Sequence, residues 1–255
     1  MTAMSEQRRI LLPIDLHGIS PGTLETLVHI ARQLDRSLLG LLLVDLRLQQ
    51  VAELPFTTEI TLSGGHERSL LRDHLSQRHS LVTRDTRQLL ADLARRNSVQ
   101  LSFEDAAGHR LHTALEREEQ LDIFFPPRQR WQLVPGGAPV SAALIPRLGL
   151  VLPAGELAGT LVATAHRLLL AGLVGEVYVL SDHAPQPGQL HDLYRPGHRI
   201  CVQSNFALNP LALAGLIRHS SYDLLLIPRG LLQQIPAATL DAALEKSGGQ
   251  VLAVE

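Results

Sequence analysis

The 255-residue sequence has little sulfur, few aromatic rings and almost no lysine. Its single cysteine, Cys201, excludes an intrachain disulfide. The apolar run around it, Arg199 to Val202, predicts a buried, inert thiol. Aromatic residues make up 4% against 45% hydrophobic residues, so any core must be built from Leu, Val, Ile and Ala. No apolar run approaches the roughly 20 residues of a membrane span; Leu38 to Val44 and Leu168 to Leu173 stop far short. The polar stretch Met1 to Arg9 lacks the apolar core of a signal peptide, which sets the expectation of a cytoplasmic protein. Charge of one sign is also missing. With 23 basic and 25 acidic residues the formal charge is −2, so no global field draws nucleic acid. Lys246 is the only lysine; the other basic residues are arginines.

What is present is a repeating order of strands and helices. Arg9 to Asp15 is a short apolar run ending in a carboxylate, followed by the turn residues His17 to Gly22. An apolar run bounded by turn signals predicts a buried strand of a parallel sheet. Ser20 and Pro21 predict an N-cap and first turn, and Leu24, Leu27, Val28, Ala31 and Leu34 continue at helical spacing toward Arg36. Leu38 to Asp45 is a second strand. Residues 46–65 predict irregular chain or a short extra strand, and a long amphipathic helix should run from about Glu67 to Arg96, with a possible break at His79-Ser80. Val99 to Glu104, a short helix from His109 to Glu118, and the strand Leu121 to Phe125 complete the first half.

The second half repeats the order. Arg147 to Pro153 matches the first strand, with Ala154 in place of Asp15. The predicted elements are a helix from about Glu156 to Ala171, strands at Gly175–Ser181 and Arg199–Gln203, a helix Pro210–His219, a strand Tyr222–Ile227, a helix Pro236–Lys246 and a closing strand Gln250–Val254. Pro13 and Pro153 lie 140 positions apart, whereas Asp122 and Asp223 lie 101 apart. The second copy therefore lacks about 39 residues, corresponding to the long helix and its approach.

These pieces resemble the universal stress protein family. The resemblance rests on Ile10–Asp15, Leu38–Asp45, Gly108 through Phe125, and Gly248–Val254, in that order and spacing, and covers nearly the whole chain. It implies an α/β fold of two tandem Rossmann-like domains, each a parallel five-stranded sheet, at 1–146 and 147–255. It also implies an intramolecular pseudo-dimer in which the two closing strands, near Val140–Ile145 and Gln250–Val254, pair with each other. Family members that bind nucleotide carry Gly-x2-Gly-x9-Gly-Ser/Thr after the fourth strand. Here the matching places read Pro126-Pro127-Arg128-Gln129-Arg130-Trp131 and Pro228-Arg229-Gly230-Leu231. Two prolines remove backbone donors and Trp131 adds bulk, which argues against ATP binding of the family type.

The expected working surface is the carboxyl edge of the strands, where open α/β sheets bind ligands. In the first half this edge gathers Asp15, His17, Asp45, Gly108, His109, Arg128 and Arg130; in the second it gathers Ala154, Gly155, Ser181, Asp182, Asn205, Arg229 and Gly230. Ligand or partner contact is assigned to the more charged first half. Ser63-Gly64-Gly65-His66-Glu67-Arg68-Ser69 is similar to the Ser-Gly-Gly loop of ATP pyrophosphatases, but it follows the second strand instead of the first; a capped helix N-terminus is the simpler reading. The 12 histidines show no closed metal-site spacing, and no Ser-His-Asp or Cys-His arrangement is apparent. The expectation is a non-catalytic stress or regulatory protein with no cofactor, acting through a protein partner, a homodimer or a small ligand. ATP bound through Asp15 is the alternative, and an ATP-using enzyme the third reading.

Overall fold

A computed structural model of the chain describes residues 8–15, 18–44, 50–51, 54, 57–60, 65–69, 72–108, 110–117, 121–128, 144–155, 157–186, 188–219 and 221–255. The expected positions His17, Asp45, His109, Arg130 and Trp131 lie outside these residues.

The first half contains β1 (Arg9–Ile14), α1 (Pro21–Leu34), β2 (Ser37–Val44), β3 (Thr58–Ile60), β4 (Glu67–Ser69), α2 (Arg72–Arg96), β5 (Leu101–Ala107), α3 (Arg110–Leu115) and β6 (Leu121–Phe125). The second contains β7 (Ile145–Val151), α4 (Leu157–Leu170), β8 (Val174–Leu180), β9 (Arg199–Gln203), α5 (Pro210–His219), β10 (Leu224–Pro228), α6 (Arg229–Gln233), α7 (Ala237–Lys246) and β11 (Gln250–Val254). A single 3-10 turn at His191–Leu193 stands in the β8–β9 crossover, where the first half has α2.

The fold is α/β, and its principal sheet has nine strands in the order β5-β2-β1-β6-β11-β10-β7-β8-β9. All neighbours are parallel except β11 and β6, which pair antiparallel through Val251–Phe125, Leu252–Phe124 and Ala253–Ile123. This corrects the expectation of two five-stranded sheets whose closing strands pair with each other. Residues 140–143 lie outside the described residues, and Ile145 already belongs to β7. The outer side of β11 is taken by β6, the fourth strand of the first half.

Sequence periodicity accounts for the layers. Alternate residues of β1 enter opposite cores: Ile10, Leu12 and Ile14 meet α1 and α4, whereas Leu11 meets α3. The other face is closed by α3, α5, α6 and α7 through Leu111, Leu213, Leu232 and Leu240. Because both faces are covered there, the inner strands β1, β2, β10 and β11 are nearly apolar throughout, whereas the outer strand β5 alternates.

Local signals held where their chemistry is local. Ser20 caps α1, its hydroxyl accepting from the Thr23 amide at 3.1 Å, and Pro21 opens the helix. Asp35, left-handed at φ 54, ends α1 and turns the chain so that Arg36 enters the sheet edge. Gly249 leads into β11 because a Cβ there would land on the Tyr222 carbonyl oxygen. Glu67 to Ser69, expected to open the long helix, instead form β4 against β3. The helix starts at Arg72 and runs without a break through His79-Ser80. Ser63, the expected cap, lies outside the described residues.

Candidate functional site

At the carboxyl edge of the first half, β1 delivers Asp15 and β6 delivers Arg128 beyond Pro126-Pro127. Their side chains are 15% and 17% exposed and lie 3.6 Å apart. Arg128 also reaches Glu245 of α7, at 3.7 Å, so it bridges the two halves. Beneath them Arg110, the first residue of α3, is buried with its guanidinium 5.7 Å from the centre of the Phe125 ring. Burial lowers the Arg110 pKa and Arg128 adds to that shift, while Asp15, Asp241 and Glu245 oppose it. The described site is thus two guanidinium groups among three carboxylates.

Gly108 has a structural reason for being glycine. Its φ is +136, and a Cβ there would stand 2.7 Å from Thr113 Oγ1. Its amide donates to the Val44 carbonyl at 3.1 Å, which carries the β5–β2 ladder one residue beyond Ala107. Of the expected first-half residues, Asp15 and Arg128 come together and Gly108 shapes a neighbouring turn.

The second-half edge is arranged differently. Gly155 and Asn205 occupy left-handed turns. Ser181 is buried and donates to the His183 carbonyl at 2.6 Å, and Asp182 holds His183 Nδ1 at 2.5 Å. Arg229 turns away from this edge and into the joint between halves. It donates to the carbonyls of Leu115, at 3.0 Å, and Arg117, and lies 3.4 Å from the Glu255 carboxylate. Arg128 and Arg229 are separated by the same 101 positions as Asp122 and Asp223. Arg128 follows β6 and Arg229 follows β10, and both reach across to the other half.

A third contact across the joint was not foreseen from sequence. Asp122 is buried in β6 and forms an ion pair with Arg36, while its Oδ1 accepts from the Glu255 amide at 3.1 Å. Burial lowers the Arg36 pKa to about 10, with Arg8 and Arg167 adding to the shift, so it remains charged at neutral pH. Asp223, its counterpart, accepts from the Arg147 amide at 2.9 Å. The residues missed by sequence reasoning are Arg36, Arg110, Asp122, Asp241 and Glu245. A usable signal existed only for the last two, a carboxylate pair at i, i+4 on one helix face.

Alongside this joint, α3 and the α6–α7 corner enclose a groove of about 600 Å³. Its floor is Leu111, Leu115, Leu232, Ile235 and Leu240, and its mouth is polar, with His112, Arg117 and Gln234 among the lining residues. No group of three or more metal-binding side chains occurs among the described residues. No helix among them is long and apolar enough to cross a membrane. Cys201 is partly buried, not enclosed as its apolar run implied, because β9 is an outer strand of the sheet.

No family model matches the chain, and no curated protein matches it. Among solved structures, the lysine monooxygenase NbtG of Nocardia farcinica, described for the conformation of its NADPH domain, aligns at 13% identity and a TM-score of 0.17. The alignment covers 70% of this chain and 58% of that one, and a likeness of this size carries no argument about activity.

Proposed function

We propose that the chain is a tandem protein of the universal stress type that has exchanged nucleotide binding for a fixed joint between its halves. It acts as a non-catalytic regulatory module through a protein partner or a small ligand. The observation that carries this reading is the Asp15–Arg128–Glu245 chain of ion pairs. The acidic residue at the end of β1 is engaged by an arginine from the position where a nucleotide-binding member would place its glycine-rich loop. The strand order supports the tandem reading: β5-β2-β1-β6 in the first half is mirrored by β9-β8-β7-β10 in the second.

The test is calorimetry with ATP and Mg²⁺. The expected result is no heat of binding. A dissociation constant in the low micromolar range, about −8 kcal/mol, abolished by Asp15→Ala, would restore the nucleotide reading. The third reading, an ATP-using enzyme, rested on the Ser63–Ser69 stretch. Within that stretch Glu67–Ser69 form β4 against β3, which weighs against a phosphate-binding helix N-terminus there. The groove between α3 and α7 favours the small-ligand branch. Its volume and its apolar floor with polar rim match sites for compact organic molecules. Native mass spectrometry of the purified protein reads out such a ligand directly.

A further inference from the structure

The two ends of the nine-stranded sheet are β5 and β9, and among the described residues no strand pairs with the outer side of either. Open edges invite another strand, and proteins that stay monomeric defend them with charge. The two edges differ in this respect.

In a strand, a residue turns its N–H and C=O to the same side, and successive residues alternate. The Gln203 carbonyl accepts from Ser181 at the end of β8, at 3.1 Å. Gln203, Cys201 and Arg199 therefore face β8, and Ile200 and Val202 present their backbone groups outward. Gly108 donates to Val44 of β2, so in β5 the outward groups belong to Leu101, Phe103, Asp105 and Ala107.

We propose that β9 is a self-association edge: two copies of this chain join antiparallel through Arg199–Gln203, with Cys201 at the two-fold axis. In that register Ile200 stands opposite Val202 of the second copy. Each such pair exchanges two backbone hydrogen bonds, giving four across the axis. Cys201 then faces its own counterpart as a non-hydrogen-bonded pair, the closer type, with Cα atoms about 4.5 Å apart. The five residues are self-complementary in backbone pattern, and Arg199, which lies 3.8 Å from Glu176 of its own chain, is kept away from its counterpart.

The same construction on β5 fails. The centre of Leu101–Ala107 is Glu104, which would lie opposite a second Glu104, with the exposed Asp105 beside it. Like charges directly opposed destabilise a strand pair. The apolar side of β9 also has surface to cover. Val202 is 40% exposed and borders a cleft of about 410 Å³ lined by Leu190 and Tyr194, on the side where the first half carries α2.

Cys201 serves as the reporter. Sedimentation velocity in reducing buffer over the micromolar range should show a reversible dimer. Mild oxidation with diamide, which takes up the two thiol hydrogens as the S–S bond forms, should convert it to a covalent dimer on a non-reducing gel. The pair separation lies at the short end of the range that accommodates a disulfide, about 4.4–6.8 Å. Val202→Pro removes an outward N–H and should raise the dissociation constant by roughly tenfold or more. It should also suppress the crosslink while leaving far-UV circular dichroism unchanged. Val202→Lys, which sets charge in the Ile200–Val202 contact, should do the same and guards against a proline that unfolds the strand. Ile200→Cys in a Cys201→Ser background puts the thiol on the other sheet face and off the axis, and should not crosslink. A wild-type chain that stays monomeric, a dimer indifferent to both Val202 changes, or equal crosslinking from position 200 would overturn the proposal.

Discussion

Replacing Asp122 by Asn isolates the buried ion pair of the joint. The amide oxygen can still accept from the Glu255 amide, so what disappears is the negative charge beside Arg36. Asp122 is 1% exposed and the Arg36 side chain 8%, so solvent cannot take over the lost partner. Losing its proton limits the loss for Arg36 but does not remove it. With its pKa at about 10, deprotonation at pH 7 costs about 4 kcal/mol, at 1.36 kcal/mol for each unit. Leaving one member of a buried pair charged and alone costs about 3–5 kcal/mol. For a domain of this size that corresponds to a fall in melting temperature of roughly 6–20 °C. Urea unfolding followed by circular dichroism measures the loss at constant slope. The double change Arg36→Met with Asp122→Leu should recover most of it, because an apolar pair of similar volume replaces two desolvated charges. A variant Asp122→Asn within about 0.5 kcal/mol of wild type, in the range of ordinary surface changes, would refute this account of the joint.

Changing Asp15 and Arg128 together to alanine should lower stability by about 1–2 kcal/mol, more than an exposed pair would, because both are mostly buried and Arg128 also holds Glu245; differential scanning calorimetry checks this. The hydrogen bond from the Tyr178 hydroxyl to Glu176, 2.7 Å long, raises the Tyr178 pKa above its ordinary value of 10.0. A raised pKa in the folded state stabilises it at all pH values below the unfolded value, and that contribution is lost as pH rises through the folded value. The stability difference between wild type and Tyr178→Phe should therefore be constant near neutrality and shrink above pH 10, as read by urea unfolding at each pH. Phenolate absorbance should place the transition of Tyr178 above 10, and a Tyr178 that titrates at or below its ordinary value would contradict the hydrogen bond.

The sequence by itself determined most of the elements and their order, though not the short helix α6 or the β3–β4 pair. Apolar runs such as Ile10–Ile14 are buried on both faces and read as parallel strands, and the Ser20-Pro21 cap is chemistry between neighbours. Strands β6, β9 and β11 and helix α5 fall at their expected bounds for the same reason. The spacing of Asp122 and Asp223 and of the two prolines Pro13 and Pro153 suggests a repeat, which the proposed function takes up. The candidate site was legible only in part: Asp15 and Arg128 were named, but not that they would hold each other. Only the tertiary structure decided that, because Glu245 comes from a helix more than a hundred residues away in sequence, and pairing across that separation leaves no periodicity to read. It likewise decided which strand β11 would meet. The side chains of an inner strand do not name the strand it pairs with, so the sequence can announce a closing strand without saying whether its neighbour will be a fifth strand or a fourth. The hairpin at Thr58–Ser69 shows the same limit locally: Glu67 to Ser69 carry helix-compatible side chains, and a cross-strand partner at Thr58–Ile60 made them a strand.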